Sequence, residues 1–275
     1  MFTKPAILSR NLVWILLTVI VSFTAQAGDK PMWNNKQAAV VLTYDDGVPE
    51  QLTHAVPLLN ALNMKATFYL TPGFEGFKEH VQDWKKVAAQ GHELGNHTLF
   101  HPCRADMPGR DWVRPEYDLS KYTVQQMVEE IELTNTVLAM LDGRQARTFA
   151  YPCGDMTAGG KSYVDEIRKD VTGARAVDAK MVKIDDVDLY RIPSYMINGE
   201  SGDELINLVK QAVDQQELLV FLFHGVGGGH GINVSVDAHN KLLRYLKKHE
   251  DQVWVAPLVD VTRYLAEYRN NKQKM

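Results

Sequence analysis

Short apolar runs alternate along this chain with segments of helical spacing. Ala38–Tyr44 is an uninterrupted apolar and β-branched run, which predicts a buried strand. Residues 50–62 have apolar positions close to a helical period, and residues 65–70 return to strand chemistry. The alternation continues to the C-terminus. It predicts further strands at residues 93–98, 148–151, 174–177, 189–193, 218–223 and 253–256, and further helices at residues 80–90, 124–141, 161–170, 203–215, 236–248 and 259–269.

This alternation of strand and helix is typical of an α/β fold with a mainly parallel sheet, either a closed barrel or a doubly wound layer. No Gly-x-Gly-x-x-Gly opens a helix after the first strand, so a dinucleotide-binding fold is not favoured. The main irregular insertion is residues 103–122. Its aromatic residues Trp112, Tyr117 and Tyr122 either stack on a sugar or pack the loop itself, and the sequence leaves both open.

The N-terminus has the pattern of a secretory signal. Lys4 and Arg10 precede an uncharged run at residues 12–23, and Ala25-Gln26-Ala27 is a small-x-small cleavage site. The run is shorter than the ~20 residues of a membrane-spanning helix. An uncleaved anchor is the alternative, and the cleavage site favours removal. We therefore predict a signal peptide at 1–27, an N-terminal segment at 28–37, a single domain at 38–270 and a periplasmic or secreted protein without a membrane anchor.

Charge and cysteine content narrow the classes of partner and scaffold. The formal net charge is −4 and there is no basic run, so nothing indicates a nucleic-acid partner. Two cysteines, Cys103 and Cys153, are too few for a disulfide scaffold. In an oxidising compartment they either pair or remain two small buried side chains, and the sequence does not decide between these.

Metal-binding side chains follow several of the predicted strands. Asp45 and Asp46 end the first strand, His97 and His101 follow a later one, and His224 ends the run 218–223. In a barrel the C-terminal ends of the strands converge on one face. One carboxylate with two imidazoles is the three-ligand set of a catalytic zinc, and the second carboxylate is then free to act as a base. Asp-Asp-Gly alone is also common turn chemistry, so the prediction depends on the combination.

These segments resemble the polysaccharide deacetylases, the nodulation-protein-B (NodB) homology domain of carbohydrate esterase family four. Thr43-Tyr44-Asp45-Asp46-Gly47 is similar to the family's first motif, Thr-Phe-Asp-Asp-Gly. His97-Thr98-Leu99-Phe100-His101-Pro102 is similar to its second, His-Ser/Thr-x-x-His-Pro. Leu222 and His224 match the weaker Leu-x-His motif. The resemblance runs in order over residues 38–264.

The resemblance implies a distorted (β/α)7-type barrel that removes acetyl groups from sugars with the help of one divalent metal ion, usually zinc. Asp46, His97 and His101 would hold the ion, Asp45 would be the catalytic base and His224 the catalytic acid. The third motif, which contains Tyr151 and Cys153, would contact the substrate, with the N–H of Cys153 at the oxyanion.

Two departures from the family pattern affect the predicted site. The third motif usually reads Phe-Arg-x-Pro-Tyr-Gly, and Ala150 stands here in place of its arginine. Asp45 then needs another residue to hold it. We hypothesise that Arg191 supplies that guanidinium from another strand; an ordinary surface arginine is the alternative. The Asp-x-x-Asp-Trp motif has no clear match, which leaves the partner of His224 unassigned.

A glycine-rich stretch follows His224. Residues 225–231 contain five glycines and His230. A phosphate cradle would need a helix N-terminus and usually a lysine, and both are missing. A flexible rim over the cleft is the favoured interpretation, and His230 is a candidate for touching substrate.

The sequence therefore predicts a hydrolase that releases acetate from an acetylated carbohydrate, with N-deacetylation of an N-acetylglucosamine-type glycan favoured. The alternatives are an O-acetyl esterase of the acetyl-xylan type with the same site, and a non-catalytic carbohydrate-binding relative. The second is disfavoured because Asp45, Asp46, His97, His101 and His224 are all present. The glycan, the metal and the oligomeric state do not follow from the sequence.

Overall fold

The first strand lies at the centre of a curled sheet and is buried on both faces. It is Ala38–Tyr44, the range that the apolar pattern predicts. The computed structural model describes residues 1–2 and 32–274. Nearly all of the predicted signal peptide, and residues 28–31 of the predicted N-terminal segment, lie outside the described residues.

The described residues form thirteen strands and seven α-helices, and the long strands alternate with helices. The strands are β1 (Ala38–Tyr44), β2 (Thr67–Leu70), β3 (Glu93–Asn96), β4 (Phe149–Ala150), β5 (Thr157–Ala158), β6 (Lys161–Ser162), β7 (Ala174–Arg175), β8 (Val182–Lys183), β9 (Tyr195–Met196), β10 (Glu217–Phe223), β11 (Gly225–Val226), β12 (Asn233–Val234) and β13 (Val253–Val255). The helices are α1 (Val56–Ala61), α2 (Glu75–Lys78), α3 (Val81–Ala89), α4 (Val124–Asp142), α5 (Gly202–Gln215), α6 (Val236–Lys248) and α7 (Leu258–Gln273). None of these helices combines the length and the apolar character that crossing a bilayer requires.

Nine of these strands form one sheet in the order β7-β4-β3-β2-β1-β10-β8, with β13 beside β1 and β9 beside β10. Every pair is parallel except β8 with β10. Residues 189–196 run from β7 back to β10, because Ile192 bridges to Arg175 and β9 pairs with β10. The sheet is therefore curled, with helices outside it. The (β/α)7-type fold is confirmed, and the doubly wound alternative is wrong.

Alternation along the strands decides which side chains face the interior of the barrel. In β1, Val40 and Leu42 pack against the outer helices, whereas Ala39 and Val41 belong to the inner cluster. Strand β10 divides in the same way, with Val220 inside. Because successive side chains on a strand point to opposite faces, the residues that continue the inner rows past the strand ends enter the mouth of the barrel.

Glu93 ties the bottom of the barrel to α7. Its buried carboxylate accepts hydrogen bonds from the Thr67 hydroxyl (2.7 Å), the Thr148 N–H (2.7 Å) and the Val259 N–H (3.0 Å). The last of these lies in the first turn of α7, where a negative charge is favourable. Burial raises the pKa of Glu93, and these hydrogen bonds oppose that shift. The carboxylate thus joins three strands to the closing helix.

Two predicted elements are wrong. Residues 161–170 do not form a helix: Lys161–Ser162 pairs with β5, and a short 3-10 turn occupies Glu166–Lys169. The apolar side chains Tyr163 and Ile167 are buried there, and two such positions are too few to direct a helix. Residues 189–193 make a single bridge at Ile192, and the paired strand begins only at Tyr195.

A buried histidine behind the first motif makes stability depend on pH. His239 shares a 2.7 Å hydrogen bond with the Tyr44 hydroxyl, and burial lowers the pKa of its imidazole to about 4. The unfolded chain binds this proton near pH 6.5. The stabilisation is therefore complete above pH 6.5 and is lost as the pH falls towards 4.

We expect His239→Gln to reduce the pH dependence of unfolding. Between pH 7 and pH 5, the contribution of His239 to the free energy of unfolding should fall by about 2 kcal/mol in the wild type and not in the variant. Urea titrations at both pH values measure the difference, with the surface change His80→Gln as control. Equal losses in wild type and His239→Gln would show that this assignment is wrong.

Candidate active site

The two adjacent aspartates both face the mouth of the barrel, which a regular strand would not allow. Asp45 continues the inner row of β1 and is 2% exposed. Asp46 would point to the outer face if the strand continued. Its backbone instead turns into the left-handed region at φ 70°, and its carboxylate also enters the cleft. The turn after β1 thus presents two carboxylates to one space.

His97 and His101 converge on Asp46. The Nε2 atoms of the two histidines each lie 3.6 Å from Asp46 Oδ1. His97 continues the inner row of β3, and its Nδ1–H donates to the Ala150 carbonyl at 2.9 Å. That bond leaves the Nε2 lone pair directed at Asp46. His101 arrives through a bend and not through a helical turn, because it and Thr98 have φ values of 55° and 63°.

The arrangement fits a single divalent ion. Asp46 Oδ1 is buried, and the described residues offer it no hydrogen-bond partner. A 3.6 Å contact to each imidazole is too long for a hydrogen bond. Two ligand atoms at about 2.1 Å from a tetrahedral ion lie roughly 3.4 Å apart, which is close to the spacing found. Burial also lowers the pKa of His97 well below its usual range, which keeps the imidazole neutral, as a metal ligand must be.

A buried arginine from β7, across the mouth of the barrel, holds Asp45. The Nη2 of Arg175 donates to Asp45 Oδ2, and the two side chains are 1% and 3% exposed. Strand β7 places Arg175 directly beside Ala150 of β4, in parallel register. Alanine therefore fills the third-motif position at which the family carries an arginine. The guanidinium comes instead from Arg175, the residue paired with Ala150 on the next strand. Arg175 Nη1 also donates to the Ser194 hydroxyl at 3.3 Å, which fixes its orientation.

The hypothesis that Arg191 holds Asp45 is wrong in its choice of residue. The Arg191 side chain is 59% exposed, and its Nε donates to Asp178 at 3.1 Å on the surface. The sequence contained a signal for the correct residue, since Arg175 is a charge inside the apolar stretch that predicts the strand at 174–177. A full charge in such a strand is rarely buried without a partner.

His224 enters the same cleft from the end of β10. It continues the inner row of Val220 and Leu222, and its Nε2 lies 3.9 Å from Asp46 Oδ2. Burial lowers the pKa of His224, and the carboxylates of Asp45 and Asp46 oppose this. Its Nδ1 is buried without a hydrogen-bond partner among the described residues. The residue that would orient it thus stays unassigned.

The third-motif residues lie beside the cleft in different ways. Cys153 lines it and is disulfide-bonded to Cys103, so the two cysteines pair. The backbone of Cys153 is left-handed at φ 56°. The ring of Tyr151 is buried, and its hydroxyl donates to the Tyr190 carbonyl at 2.9 Å. The predicted substrate contact of Tyr151 is therefore not made by its hydroxyl.

The disulfide and an ion pair fasten the insertion 103–122 against the third motif. Arg110 Nη1 donates to Asp155 Oδ2, and Arg110 Nη2 donates to the Cys153 carbonyl at 3.1 Å. The insertion thereby forms one wall of a cleft of about 340 Å³ above the Asp46 carboxylate. Trp112 lines this wall and is 62% exposed. An exposed tryptophan on a fastened loop is a ready surface for a ligand.

Comparison with known proteins identifies the family. The sequence profile described as "Polysaccharide deacetylase" matches residues 33–172, half of the 275-residue chain. A peptidoglycan-N-acetylglucosamine deacetylase of Bacillus cereus is 27% identical over 212 residues, which cover 77% of this chain and 64% of the relative. The chain therefore spans less than two thirds of that relative's length.

Solved structures share the fold. A Mycobacterium smegmatis protein assigned to the polysaccharide deacetylases aligns with a TM-score of 0.61 at 12% identity, over 85% of this chain and 92% of that protein. A mutant of BA3943, a pseudoenzyme of the CE4 family, aligns with a TM-score of 0.51 at 17% identity, over 83% and 68% of the two chains. Such identities establish the fold alone. Together with the profile match, they lead to one conclusion: the chain belongs to the polysaccharide deacetylase family.

Proposed function

We propose that this protein is a metal-dependent hydrolase that removes acetyl groups from an N-acetylated carbohydrate of the N-acetylglucosamine type. One observation carries the proposal. Asp46, His97 and His101 direct three ligand atoms at one point, and Asp45 lies beside them with its own cation. Two imidazoles and one carboxylate that converge on one point, next to a second carboxylate held by an arginine, are suited to activating a water molecule.

Asp46, His97 and His101 would hold the ion, and the remaining side chains would move protons. A divalent ion held by Asp46, His97 and His101 would lower the pKa of water and polarise the acetyl carbonyl. Zinc is our choice of ion, because two imidazoles and a carboxylate with an open fourth position are typical of catalytic zinc.

Asp45 is the proposed base. Arg175 occupies its Oδ2, while its Oδ1 is buried and has no hydrogen-bond partner among the described residues. The free oxygen is available to accept the proton of the attacking water, and the guanidinium keeps the carboxylate from rotating. The N–H of Cys153 is the proposed donor to the oxyanion.

His224 is the proposed acid, since it lines the same cleft as this base. Burial lowers its pKa, which makes the protonated imidazole a stronger acid towards the leaving nitrogen. The carboxylates beside it favour the protonated form. The proposed base thus lies against a guanidinium and the proposed acid against a carboxylate, and opposite roles require such different surroundings.

A non-catalytic relative remains the rival from another class, since a pseudoenzyme shares the fold. The unpartnered Asp46 Oδ1 argues against a non-catalytic relative, because a buried acceptor without a partner costs about 1–3 kcal/mol unless an ion or substrate uses it.

We also propose that residues 1–27 are a signal peptide, that residues 38–270 are the catalytic domain and that the protein acts in the periplasm or outside the cell.

We expect Asp45→Asn and Asp46→Ala to separate the base from the metal ligand. Asp45→Asn should keep one zinc ion per chain and lose about 10²–10⁴-fold in the rate of acetate release. Asp46→Ala should lose the ion itself, and a chelator should inactivate the wild type until zinc is restored. Acetate assays and metal analysis measure both.

The substrate panel for this experiment contains N-acetylglucosamine oligomers, peptidoglycan and O-acetylated xylan. Faster release from xylan would identify an O-acetyl esterase. A zinc-loaded wild type that releases no acetate from any of these glycans would contradict the enzymatic proposal.

We expect Arg175→Lys to reduce kcat roughly 10–100-fold, because the residues that orient a catalytic group typically have effects of this size. Zinc content and KM should change little. Lysine keeps the charge, whereas Arg175→Ala would leave a buried unpaired carboxylate and cost about 3–5 kcal/mol of stability. Arg191→Ala is the control, and it should leave kcat unchanged. A larger effect from Arg191→Ala than from Arg175→Lys would reverse the assignment.

We expect Trp112→Ala to raise KM for an N-acetylglucosamine oligomer about fivefold, the size of a lost aromatic contact of roughly 1 kcal/mol. The kcat should stay the same, because Trp112 lies on the wall of the cleft and neither holds the ion nor moves a proton. Met107→Ala, on the same insertion but outside the cleft, is the matched control. An unchanged KM in Trp112→Ala would assign this aromatic residue to loop packing.

A further inference from the structure

The glycine-rich segment 225–231 is fastened to the barrel, so the predicted flexible rim is not what the structure shows. Gly225 N–H donates to the Ile232 carbonyl at 3.1 Å, and Gly227 N–H donates to the Val234 carbonyl at 2.7 Å. These bonds pair β11 with β12. The Val226 carbonyl accepts a 2.6 Å hydrogen bond from the Nδ1–H of His54. The segment is therefore a fixed turn at the mouth of the barrel.

Close approach explains two of its glycines. A Cβ on Gly229, whose φ is +79°, would lie 2.0 Å from Glu50 Oε2. A Cβ on Gly225 would lie 2.3 Å from the Gly228 carbonyl oxygen. A larger residue at Gly225 would clash with the backbone of the turn itself, and the positive φ at Gly229 disfavours a side chain there even if Glu50 moves. The next residue, His230, is consequently held over the cleft.

His230 lies against the proposed acid. Its ring stacks on that of His224, with centroids 4.6 Å apart and planes 12° apart. The Nε2 atoms of the two histidines are each 3.9 Å from the same Asp46 Oδ2. His230 is also 35% exposed and lines the cleft, so a bound molecule can reach it.

A backbone contact assigns the tautomer of His230. The Ile232 N–H points at Nδ1 of His230 at 3.0 Å, so that nitrogen offers its lone pair. The Ile232 carbonyl, at 3.2 Å, is the longer contact. In the neutral ring the proton then lies on Nε2, the atom that faces the cleft. With its lone pair used on the backbone, His230 presents a donor and not a metal ligand.

We propose that His230 is a further substrate-contacting residue, whose Nε2–H donates a hydrogen bond to an oxygen of the sugar unit that carries the acetyl group. This inference rests on the proposed function. His224 would give its proton to the leaving nitrogen, so its neighbour faces the atoms next to that nitrogen. In an N-acetylated sugar these are hydroxyl, ring and glycosidic oxygens, which accept hydrogen bonds.

Three substitutions separate the hydrogen bond from the stack. His230→Gln keeps a donor near the position of Nε2, His230→Phe keeps only the stacked ring, and His230→Ala keeps neither. On an N-acetylglucosamine oligomer we expect His230→Phe and His230→Ala to lose roughly tenfold in kcat/KM, mainly through KM. His230→Gln should recover most of that loss. All three variants should retain zinc, and His230→Phe and His230→Ala should lose less turnover of 4-nitrophenyl acetate, which has no sugar, than turnover of the oligomer. His80→Ala, a surface histidine, is the control.

A binding measurement makes the test independent of turnover. Calorimetry with Asp45→Asn should give a Kd for the oligomer that rises roughly tenfold when His230→Phe is added. Wild-type activity in His230→Phe would show that only the stacked ring matters. Loss of zinc in His230→Ala would show that His230 is a metal ligand. Either result would overturn the inference. Absence of acetate release from the wild type would instead reject the proposed function. The binding measurement would still show whether His230 contacts the oligomer.

Discussion

The ion pair between Asp45 and Arg175 is the contact on which the mouth of the barrel depends. It joins the ends of β1 and β7, and both side chains are almost fully buried. Removing one partner of such a pair leaves an uncompensated charge, which typically costs about 3–5 kcal/mol. The pair therefore links two strands across the mouth of the barrel and fixes the orientation of Asp45. Its geometry also explains how the chain tolerates Ala150, since Arg175 lies beside it in register.

Around this pair, the site is assembled from backbone conformations that non-glycine residues seldom adopt. Asp46, Thr98, His101 and Cys153 all have φ between 55° and 70°. Each such residue costs of order 1 kcal/mol or more, and it persists only where its surroundings hold it. Here the hydrogen bond that the His101 N–H donates to Thr98 Oγ1 (2.9 Å) and the Cys103–Cys153 disulfide do so. The left-handed backbone at Asp46 and His101 turns both side chains into the cleft. A regular strand or helix would direct them elsewhere.

The order of elements could be predicted well because it depends on local patterns. The ranges of β1 and α6 follow from the apolar pattern of the chain. Prediction failed at residues 161–170, where two buried side chains are too few to direct a helix. It also failed for the segment 225–231, where glycines that suggest flexibility in fact permit close packing. Composition cannot distinguish these two uses of glycine.

The sequence by itself determined the alternating elements and the residues that gather at the strand ends: Asp45, Asp46, His97, His101 and His224. Those assignments rest on short motifs and on the alternation of side chains along a strand, and both are local patterns of a few residues. Only the tertiary structure decided which arginine reaches Asp45, whether the cysteines pair, and that His230 lies on His224. These contacts join residues far apart in the chain. Their formation depends on strand register and barrel closure, which no local pattern encodes.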